Sequence, residues 1–363
     1  MATATLRISG QRVLIREHVT PNDMPPDARV LLDHAPSFFL TPAWWRATIA
    51  AAMPPGAEPR FLSIFVQDQP VALFPMLRLG RRWQGLTTLY TYRYAPLFAP
   101  ALTDPLRLLA CEAFGRFIRP GGVTRLDALD PDAPDHVILL AGLRRAGLVP
   151  LAFNHFGTWE EDVTGQDWDT YLSHRDGRLR ETIRRRLRDI RARPDARFSI
   201  LTNAPDIAAA TDAYEAVAAR SWKQPEPFPA FNRTLFRESA HDGALFMTRL
   251  TLDDRPVAVQ AWAQHQGRAT VLKLVHDEDL AKLSPGTVLT ALSIQHLLRD
   301  RALTHLDFGR GDNAYKKMWV RERHQRTGLL VATPWHPRGL AAIVRRGVAM
   351  GLRPKPRKGA LPP

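Results

Sequence analysis

Apolar and polar positions alternate along two similar stretches of the chain. Residues 61–76 (FLSIFVQDQPVALFPM) and 246–262 (FMTRLTLDDRPVAVQAW) each predict two strands around a tight turn. Residues 268–275 form a third apolar run, and residues 285–302 carry apolar positions at helical spacing, with Ser284 as the N-cap and Pro285 in the first turn. A short buried strand is expected at 303–309. This order predicts an α+β fold, a mixed sheet with flanking helices.

The chain repeats itself. Residues 104–127 align without gaps on residues 284–307, so that Pro105 matches Pro285 and Asp127 matches Asp307. The two alternating stretches fall in the same order upstream of these blocks. Two matching blocks in one order favour a tandem duplication.

The repeat sets the expected domain boundaries. We expect an N-terminal domain over 1–155, a second domain over 156–333 and a basic tail over 334–363. The second domain is expected to begin with two helices. The first, 170–194, carries arginine on all sides, and the second, 204–222, has a cap at Asp206.

Charge and cysteine content indicate which partners and which cellular compartment to expect. The net charge is +14, which suggests an anionic partner, although all but seven of the 50 basic residues are Arg and such a bias also arises from coding composition. The single cysteine, Cys111, lies in an amphipathic pattern and is expected to be buried and structural. We see no apolar leader and no apolar run of 18 residues, so a cytoplasmic protein is expected, with the basic tail as a candidate contact with the inner membrane face.

The start of the helix at 284–288 is a candidate anion site. Backbone N–H groups and the positive end of the helix dipole converge there, and Gly286 would let a pyrophosphate approach the backbone. The five residues of the candidate site are Ser284, Pro285, Gly286, Thr287 and Val288. The alternative is a plain N-cap, and no Walker loop is present.

Four motifs together resemble a known family: RSWK (220–223), DDRPVAVQAW (253–262), LSPGTVL (283–289) and LDFGRGDNAYKKMW (306–319). They are similar to the GNAT-type acetyltransferases associated with exopolysaccharide and cellulose biosynthesis, which are relatives of the Fem-type peptidoglycan bridge transferases. The resemblance covers nearly the whole chain and implies a tandem GNAT fold. It also implies a donor, either acetyl-coenzyme A or another acyl-coenzyme A, or an aminoacyl-tRNA as in the Fem branch. Of the usual pyrophosphate-loop glycines, only Gly286 remains.

Acyl transfer needs a donor to the developing oxyanion and a base for the acceptor. The resemblance implies that Lys316 stabilises the oxyanion, with a solvated surface lysine as the alternative. Tyr315 is a candidate to protonate the thiolate or orient the acceptor. The candidate bases are Asp307, Asp312 and His276, and Asp307 has a structural alternative, because Asp127 occupies the same place in the other copy.

The sequence offers fewer candidate residues for binding the acceptor than for binding the donor. Trp222 and Lys223 are expected to face the cleft by resemblance, and Arg310 is a further candidate for substrate binding. The first copy has Leu106 where the second has Gly286 and lacks the lysine, so we expect it to be catalytically silent and to shape the acceptor cleft. Its aromatic segment, 81–98, would either stack on a sugar or form an ordinary hairpin.

The sequence therefore predicts an acyltransferase that moves an acyl group, acetyl in the first instance, from acyl-coenzyme A to an amine or hydroxyl of a cell-envelope or exopolysaccharide acceptor. One alternative is a Fem-like transferase that uses aminoacyl-tRNA. Another is a degenerate transferase that acts as a scaffold on polyanions or membranes. No metal site is expected, because His265 and His276 lie on different elements and no ligand motif is present. A Ser/His/Asp hydrolase is not expected either, because the nucleophile elbow is absent.

Overall fold

The computed structural model describes residues 3–221 and 223–351, with side chains described to residue 346. Fourteen strands form one sheet. Those of the first half are β1 (Thr3–Ile8), β2 (Gln11–His18), β3 (Ala57–Val66), β4 (Gln69–Leu79), β5 (Arg82–Gly85), β6 (Leu97–Phe98), β7 (Val123–Leu129) and β8 (Val149–Asp162). Those of the second half are β9 (Ala196–Leu201), β10 (Leu245–Leu252), β11 (Arg255–His265), β12 (Arg268–His276), β13 (His305–Arg310) and β14 (Glu322–Ala332).

Helices cover both faces of the sheet. In chain order they are α1 (Pro26–Asp33), α2 (Pro42–Ala51), α3 (Asp104–Ile118), α4 (Pro134–Arg145), α5 (Trp168–Ser173), α6 (Gly177–Arg191), α7 (Ala204–Ala218), α8 (Phe231–His241), α9 (Pro285–Leu297), α10 (Ala314–Trp319) and α11 (Pro337–Gly351). Short 3-10 segments lie at 21–23, 38–40, 119–121 and 278–283. Among the described residues, no helix is long and apolar enough to cross a membrane.

The two halves join edge to edge. The strand order is β1-β2-β3-β4-β5-β7-β14-β8-β13-β12-β11-β10-β9, with β6 paired to β4. The last strand of the chain, β14, therefore lies between β7 of the first half and β8. The expected boundary at 155/156 falls inside β8, which pairs with β13 and β14 at once. The two expected domains therefore share one continuous sheet.

The repeated blocks adopt the same elements. Pro105 and Pro285 both lie in the first turn of a helix, α3 and α9, and Asp127 and Asp307 both lie buried on the strand that follows. In each half an antiparallel pair precedes the helix, β3–β4 and β10–β11. The predicted order of elements is confirmed in both copies.

The neighbouring strands β12 and β13 separate in the second copy. The parallel pairing of β12 with β13 runs only from Arg268 opposite His305 to Thr270 opposite Asp307. Next to this point β12 has a bulge, because Lys273 pairs with Ala261 but Val271 pairs with Trp262. Bulges bend a strand and end its pairing, so β12 and β13 diverge beyond Thr270 and leave a wedge open.

Helix packing corrects two details of the sequence analysis. The predicted basic helix is two helices, α5 and α6, and α6 buries an apolar stripe rather than carrying arginine on all sides. The residues of this stripe are Leu179, Ile183, Leu187 and Ile190. Helix α7 is capped by Asn203, whose side chain accepts a hydrogen bond from Asp206 N at 3.0 Å, so the cap is not Asp206. Cys111 is buried in α3, and burial raises the pKa of its thiol, which confirms a structural thiol.

The tail begins as a helix that lies against β14 and β8. Arg346 donates from its guanidinium to the carbonyl of Ala152 at 2.6 Å. Leu340 and Val344, one turn apart, are each more than half exposed. Residues 352–363 lie outside the described part of the chain.

Candidate active site

The wedge between β12 and β13 opens into a cavity of about 610 Å³. One wall is β12 itself, where Val271, Leu272, Lys273, Leu274 and His276 line the space. The opposite wall is built by the residues that follow the start of β13, namely Phe308, Asn313, Tyr315 and Lys316. Ser284, Gly286 and Thr287 close one end. Elements that the sequence analysis placed in one site therefore do meet.

The start of α9 presents backbone donors to the cavity. The first helical hydrogen bond runs from Val288 N to Ser284 O at 3.1 Å, so the N–H groups of Gly286 and Thr287 precede it. Ser284 holds a left-handed conformation, with φ +52° and ψ +50°, which turns the 3-10 segment into the helix. Pro285 and Val288 are buried and face the core rather than the cavity.

The side chain of His276 leaves no room for a Cβ at position 286. A Cβ at this position would lie 2.7 Å from Cδ2 of His276, which is closer than packed carbon atoms approach. The imidazole therefore packs directly on the first turn of α9. Burial lowers the pKa of His276 below its ordinary value, so the ring is neutral at pH 7. A neutral ring can accept a proton, which keeps His276 as a candidate base.

Helix α10 delivers Tyr315 and Lys316 to the cavity. The Asn313 side chain caps it by accepting a hydrogen bond from Lys316 N at 3.0 Å. The Lys316 ammonium donates to the carbonyl of Arg310, and the Tyr315 hydroxyl shares a hydrogen bond of 2.7 Å with the hydroxyl of Thr290 on α9. Burial lowers the pKa of Lys316 to about 8 and raises that of Tyr315.

A buried ion pair fixes the far end of α10. The Glu161 carboxylate accepts hydrogen bonds from Arg175 at 2.6 Å and from Arg321 Nε at 2.9 Å. Arg175 also donates to the carbonyl of Trp319, the last residue of α10, as does the hydroxyl of Tyr171. Glu161 is 0% and Arg175 1% exposed in their side chains, so two charged groups in the core hold the helix that carries Lys316.

Besides Pro285 and Val288, three other predicted site residues do not line the cavity. Asp307 is buried and accepts a hydrogen bond from Gly309 N at 2.7 Å, which matches its structural alternative as a strand-end cap. Asp312 turns outward and forms two 2.7 Å hydrogen bonds with Arg323 of β14, which lower its pKa. Arg310 donates to the carbonyl of Leu89 at 3.1 Å and stacks on Phe156. None of the three is placed to touch a molecule in the cavity.

The α7–α8 connection forms another side of the cavity. Lys223 lines it, and burial lowers the pKa of Lys223 to about 8. Trp222 lies outside the described residues. The preceding Arg220 donates from Nε to the buried Asp277 at 2.9 Å, which fixes this connection to the end of β12.

Lys273 and Tyr92 also line the cavity, and neither was named as a site residue from the sequence. Lys273 stands in an apolar strand, where an isolated lysine looks solvent-facing, yet it lines the cavity and donates to Glu226. Tyr92 comes from the first half, in the aromatic segment at 81–98. Its neighbour Tyr90 donates to Glu226 at 2.8 Å, so this segment packs across the junction rather than forming a free hairpin. The three tyrosines between residues 90 and 94 were the feature of the sequence that could have indicated this contact.

The arrangement suits acyl transfer. It combines a helix start for an anion, an unpaired edge of β12, an ammonium and a hydroxyl on one wall and a neutral imidazole on another. Among the described residues no cluster of three or more His, Cys, Asp and Glu could hold a metal ion.

Comparisons with known proteins bear on the family and on the fold. Residues 177–317 match the family model described as an acetyltransferase (GNAT) domain. The structure is similar to the crystal structure of FemX, with TM-score 0.59 and 10% identity over 88% of this chain and 98% of that one. It is also similar to the C-terminal domain of a putative lysylphosphatidylglycerol synthetase from Agrobacterium fabrum, with TM-score 0.51 and 16% identity over 75% of this chain and 84% of that one. A search of curated protein sequences gave no match.

Identities this low establish a shared fold only. The family match covers every element from α6 to the middle of α10, including the start of α9 and Lys316. The first half repeats the same order of strands and helix. Residues 177–317 therefore match an acetyltransferase domain of the GNAT type, and this match together with the GNAT fold supports an acyltransferase.

Proposed function

We propose that this protein transfers an acyl group, acetyl in the first instance, from acyl-coenzyme A to an amine or hydroxyl acceptor in the cavity between β12 and β13. The observation that carries the proposal is that the first turn of α9 and the Lys316 ammonium open onto the same cavity. For the acceptor we propose a molecule of the cell envelope or of exopolysaccharide synthesis, by resemblance alone.

The residues present fit the donor. Coenzyme A supplies the activated thioester, and its pyrophosphate would be held by the amides of Gly286 and Thr287 at the positive end of the α9 dipole. Beyond Thr270, no described strand pairs with the edge of β12 that faces the cavity. An unpaired strand edge offers N–H and C=O groups, which match the amides of an extended pantetheine arm.

The residues of the second half have distinct roles in the chemistry. The ammonium of Lys316 has three N–H donors, of which the carbonyl of Arg310 takes one, and another donates to the thioester oxygen as it becomes an oxyanion. The proton that the acceptor loses, as its nitrogen or oxygen bonds to the carbonyl carbon, passes through water to His276, which lies at the phosphate end of the cavity. The carbon–sulfur bond then breaks, and Tyr315 donates a proton to the leaving thiolate.

We propose that the first copy is catalytically silent and contributes only walls. Its equivalent helix start, at Asp104, Pro105 and Leu106 of α3, lines a separate cavity of about 500 Å³. A carboxylate at that helix start repels phosphate. Tyr92 is the part of the first copy that reaches the cavity of the second.

The test is the release of coenzyme A from acetyl-coenzyme A in the presence of a panel of amine and hydroxyl acceptors. Lys316→Met is expected to lower kcat by roughly 10²- to 10³-fold, as loss of an oxyanion donor does. Lys317→Met is the matched control, because Lys317 is exposed and does not line the cavity. Equal effects of the two variants would refute the role of Lys316.

Donor binding has its own test. Thr287→Glu places a carboxylate where the pyrophosphate would lie and is compatible with the helix dipole, so the fold is expected to persist. The thermal shift that acetyl-coenzyme A produces in the wild type should vanish in Thr287→Glu and persist in Thr287→Val. A shift that survives in Thr287→Glu would place the donor elsewhere.

A second candidate is transfer from aminoacyl-tRNA, which one surface favours. Helix α6 exposes five arginines on the side opposite its apolar stripe: Arg178, Arg184, Arg185, Arg188 and Arg191. Such a surface fits a phosphodiester backbone. This candidate predicts binding of charged tRNA that weakens steeply with salt and with Arg184→Glu, together with no response to coenzyme A.

A membrane surface is a proposed partner, and only α11 supports it. Leu340 and Val344 are exposed one turn apart, near Arg338 and Arg345. Sedimentation with vesicles that contain anionic lipid should therefore depend on Leu340 and Val344. Equal sedimentation of the wild type and Leu340→Ser/Val344→Ser would exclude this contact.

A further inference from the structure

Tyr92 brings a hydroxyl from the first copy into the cavity of the second. Its side chain is partly exposed and lines the cavity. The two neighbouring tyrosines are occupied, since Tyr90 donates to Glu226 at 2.8 Å and Tyr94 donates to the carbonyl of Pro75 at 2.9 Å. Within residues 3–221 and 223–351, no group exchanges a hydrogen bond with the Tyr92 hydroxyl. A molecule in the cavity can therefore pair with it.

The segment that carries Tyr92 is held on both sides. Before it, Tyr90 bonds to Glu226, which lies in the α7–α8 connection. After it, Arg93 donates to Glu160 of β8. Both partners belong to the second domain expected from the repeat, so the two contacts fix the segment against the second copy. Tyr92 is therefore in place before a ligand binds, and a side chain that is already positioned loses little conformational entropy on binding.

Tyr92 and the start of α9 lie on opposite faces of the sheet. Tyr92 packs with the core that contains Phe39, whereas α9 packs with the core that contains Trp262. On β11, Ala261 and Ala263 belong to the first core, and Trp262 between them belongs to the second. Successive side chains of a strand point to opposite faces, so the two cores cover the two sides of the sheet. The wedge between β12 and β13 connects them, because both sides line the same cavity.

The face on which Tyr92 lies is the one left open to the acceptor. In the proposed reaction the donor enters from the face of α9, where its pyrophosphate would bind. The attacking nitrogen or oxygen must reach the carbonyl carbon from a direction that the donor does not occupy. The Tyr92 ring packs over Gly309, the residue before Arg310, whose carbonyl accepts from the Lys316 ammonium. Tyr92 is therefore close to the group that serves the thioester oxygen, on the side from which the acceptor comes.

The Tyr92 hydroxyl is uncharged at neutral pH, because burial raises the pKa of Tyr92 above its ordinary value. An uncharged O–H both donates and accepts, so it pairs well with another hydroxyl. We propose that the Tyr92 hydroxyl binds the acceptor through a hydroxyl next to the amine or hydroxyl that is acylated, so that the acceptor is an amino alcohol or a diol. This inference rests on the proposed acyl transfer and names its substrate class. The first copy selects the acceptor although it takes no part in the chemistry.

A matched pair of acceptors tests the contact. The amines trans-2-aminocyclohexanol and cyclohexylamine differ in one hydroxyl next to the amine. Tyr92→Phe should raise the KM of the amino alcohol about three- to tenfold, the size of one neutral hydrogen bond, and leave the KM of cyclohexylamine and of acetyl-coenzyme A within about twofold. Tyr94→Phe is the control, because the Tyr94 hydroxyl bonds within the first copy, and it should change none of the three. An unchanged KM of the amino alcohol in Tyr92→Phe, or a change confined to acetyl-coenzyme A, would overturn the inference.

Access to position 92 can be measured without turnover. Cys111 is the only cysteine and is buried, so Tyr92→Cys adds one reachable thiol. Iodoacetamide should modify this thiol at least about tenfold faster than Cys111 of the wild type, and the stable thioether ethyl-coenzyme A should slow the modification by no more than about twofold, because access controls thiol reactivity. Modification as slow as that of Cys111, or strong protection by ethyl-coenzyme A, would overturn the inference.

Binding separates the failure of this inference from the failure of the proposed function. Calorimetry with the same two amines, on wild type and Tyr92→Phe, needs no reaction. If no acceptor releases coenzyme A but the amino alcohol binds in a manner that depends on Tyr92, the proposed acyl transfer fails and the contact with Tyr92 stands. Binding that does not depend on Tyr92, with or without release of coenzyme A, overturns the inference.

Discussion

The ring of Tyr92 occupies the space that a side chain at position 309 would need. A Cβ built on Gly309 would overlap Cε2 of Tyr92 and lie 2.7 Å from its Cδ2. Gly309 has φ +69°, in the left-handed region, and lies near the end of β13, just before the chain turns toward α10. A residue of the first copy is thus packed against the end of the strand that leads to Tyr315 and Lys316, so the two halves build one cavity.

Gly309→Ala should be destabilising for two reasons. The left-handed conformation costs about 1 kcal/mol for alanine, and the methyl group must displace the Tyr92 ring, which adds about 1–3 kcal/mol. Urea unfolding is therefore expected to show a total loss of about 2–4 kcal/mol. Gly243→Ala is the matched control, because its φ is +66° and nothing lies within 4 Å of an added Cβ. Equal losses in the two variants would mean that the contact with Tyr92 is unimportant.

Gly286→Ala should act through His276. The added methyl group would lie 2.7 Å from the imidazole and push it away from the start of α9 into the cavity. We expect a higher KM for acetyl-coenzyme A, partly restored in Gly286→Ala/His276→Ala, with a coupling of about 1 kcal/mol in the double-mutant cycle of KM. The kcat should fall in Gly286→Ala and should not recover in the double variant, because His276 is the proposed base. Gly177→Ala is the control, since its closest neighbour is the flexible end of Arg180 at 3.7 Å. Additive effects of the two substitutions would contradict the contact.

Local patterns predicted most of the second copy. The alternation over 246–262 became β10 and β11, and Pro285 stands at the first position of α9 as expected. The position of β14 was not predictable, because its first half is polar. Arg326 is fully buried there beside Asp130 and Glu160, and a buried arginine in an ion network looks like a surface residue in the sequence.

The lining of the cavity was predictable where helical or strand geometry fixes a side chain. The start of α9 belongs to a repeated element, and Tyr315 and Lys316 lie on the short helix after the repeated strand β13, so all of them line the cavity. Asp312 does not, because its direction after the glycine turn is set by Arg323 on β14, which is distant in sequence. Lys273 was missed because β12 separates from β13 after Thr270. This separation exposes residues of β12 to the cavity that would be covered in a regular sheet.

The pH dependence of the rate should report Lys316. Burial lowers its pKa from 10.5 to about 8, and an oxyanion donor must be protonated. With a hydroxyl acceptor that does not itself titrate in this range, kcat is expected to fall as the pH rises through 8. Lys316→Arg keeps its charge, so its lower rate should show no such fall. An identical fall in Lys316→Arg would assign the titration to another group.

The lowered pKa of Lys316 should also make stability depend on pH, and stability should rise with pH where the rate falls. The folded protein releases the Lys316 proton near pH 8, whereas the unfolded chain holds it until about 10.5, so the unfolded state binds more protons in between. The contribution of Lys316 to the free energy of unfolding is therefore expected to rise with pH from 8 to 10.5. Lys223 has the same pKa, about 8, and should add to the slope. Denaturant unfolding of wild type and Lys316→Met across this window should show a shallower slope in the variant.

Glu161 should be needed for both stability and rate. Glu161→Gln removes the charge that balances Arg175, which is 1% exposed, and breaking a buried pair in this way costs about 3–5 kcal/mol. Because Arg175 also donates to the carbonyl of Trp319, α10 loses its fixed end, and kcat is expected to fall more than KM rises. Unfolding by urea and steady-state kinetics at a temperature where the variant is folded measure the two effects.

A control and a double variant separate charge from packing in this prediction. Asp195→Asn alters a partly exposed pair with Arg193 far from α10, and it should lower stability by no more than about 1 kcal/mol and leave the rate unchanged. Glu161→Leu/Arg175→Met removes both buried charges and is expected to be more stable than Glu161→Gln, since apolar groups of similar volume replace a buried pair at little cost. Its kcat should remain low, because the donors that fixed Trp319 are reduced to Tyr171. A double variant that is as unstable as Glu161→Gln would show that packing, and not the unbalanced charge of Arg175, sets the cost.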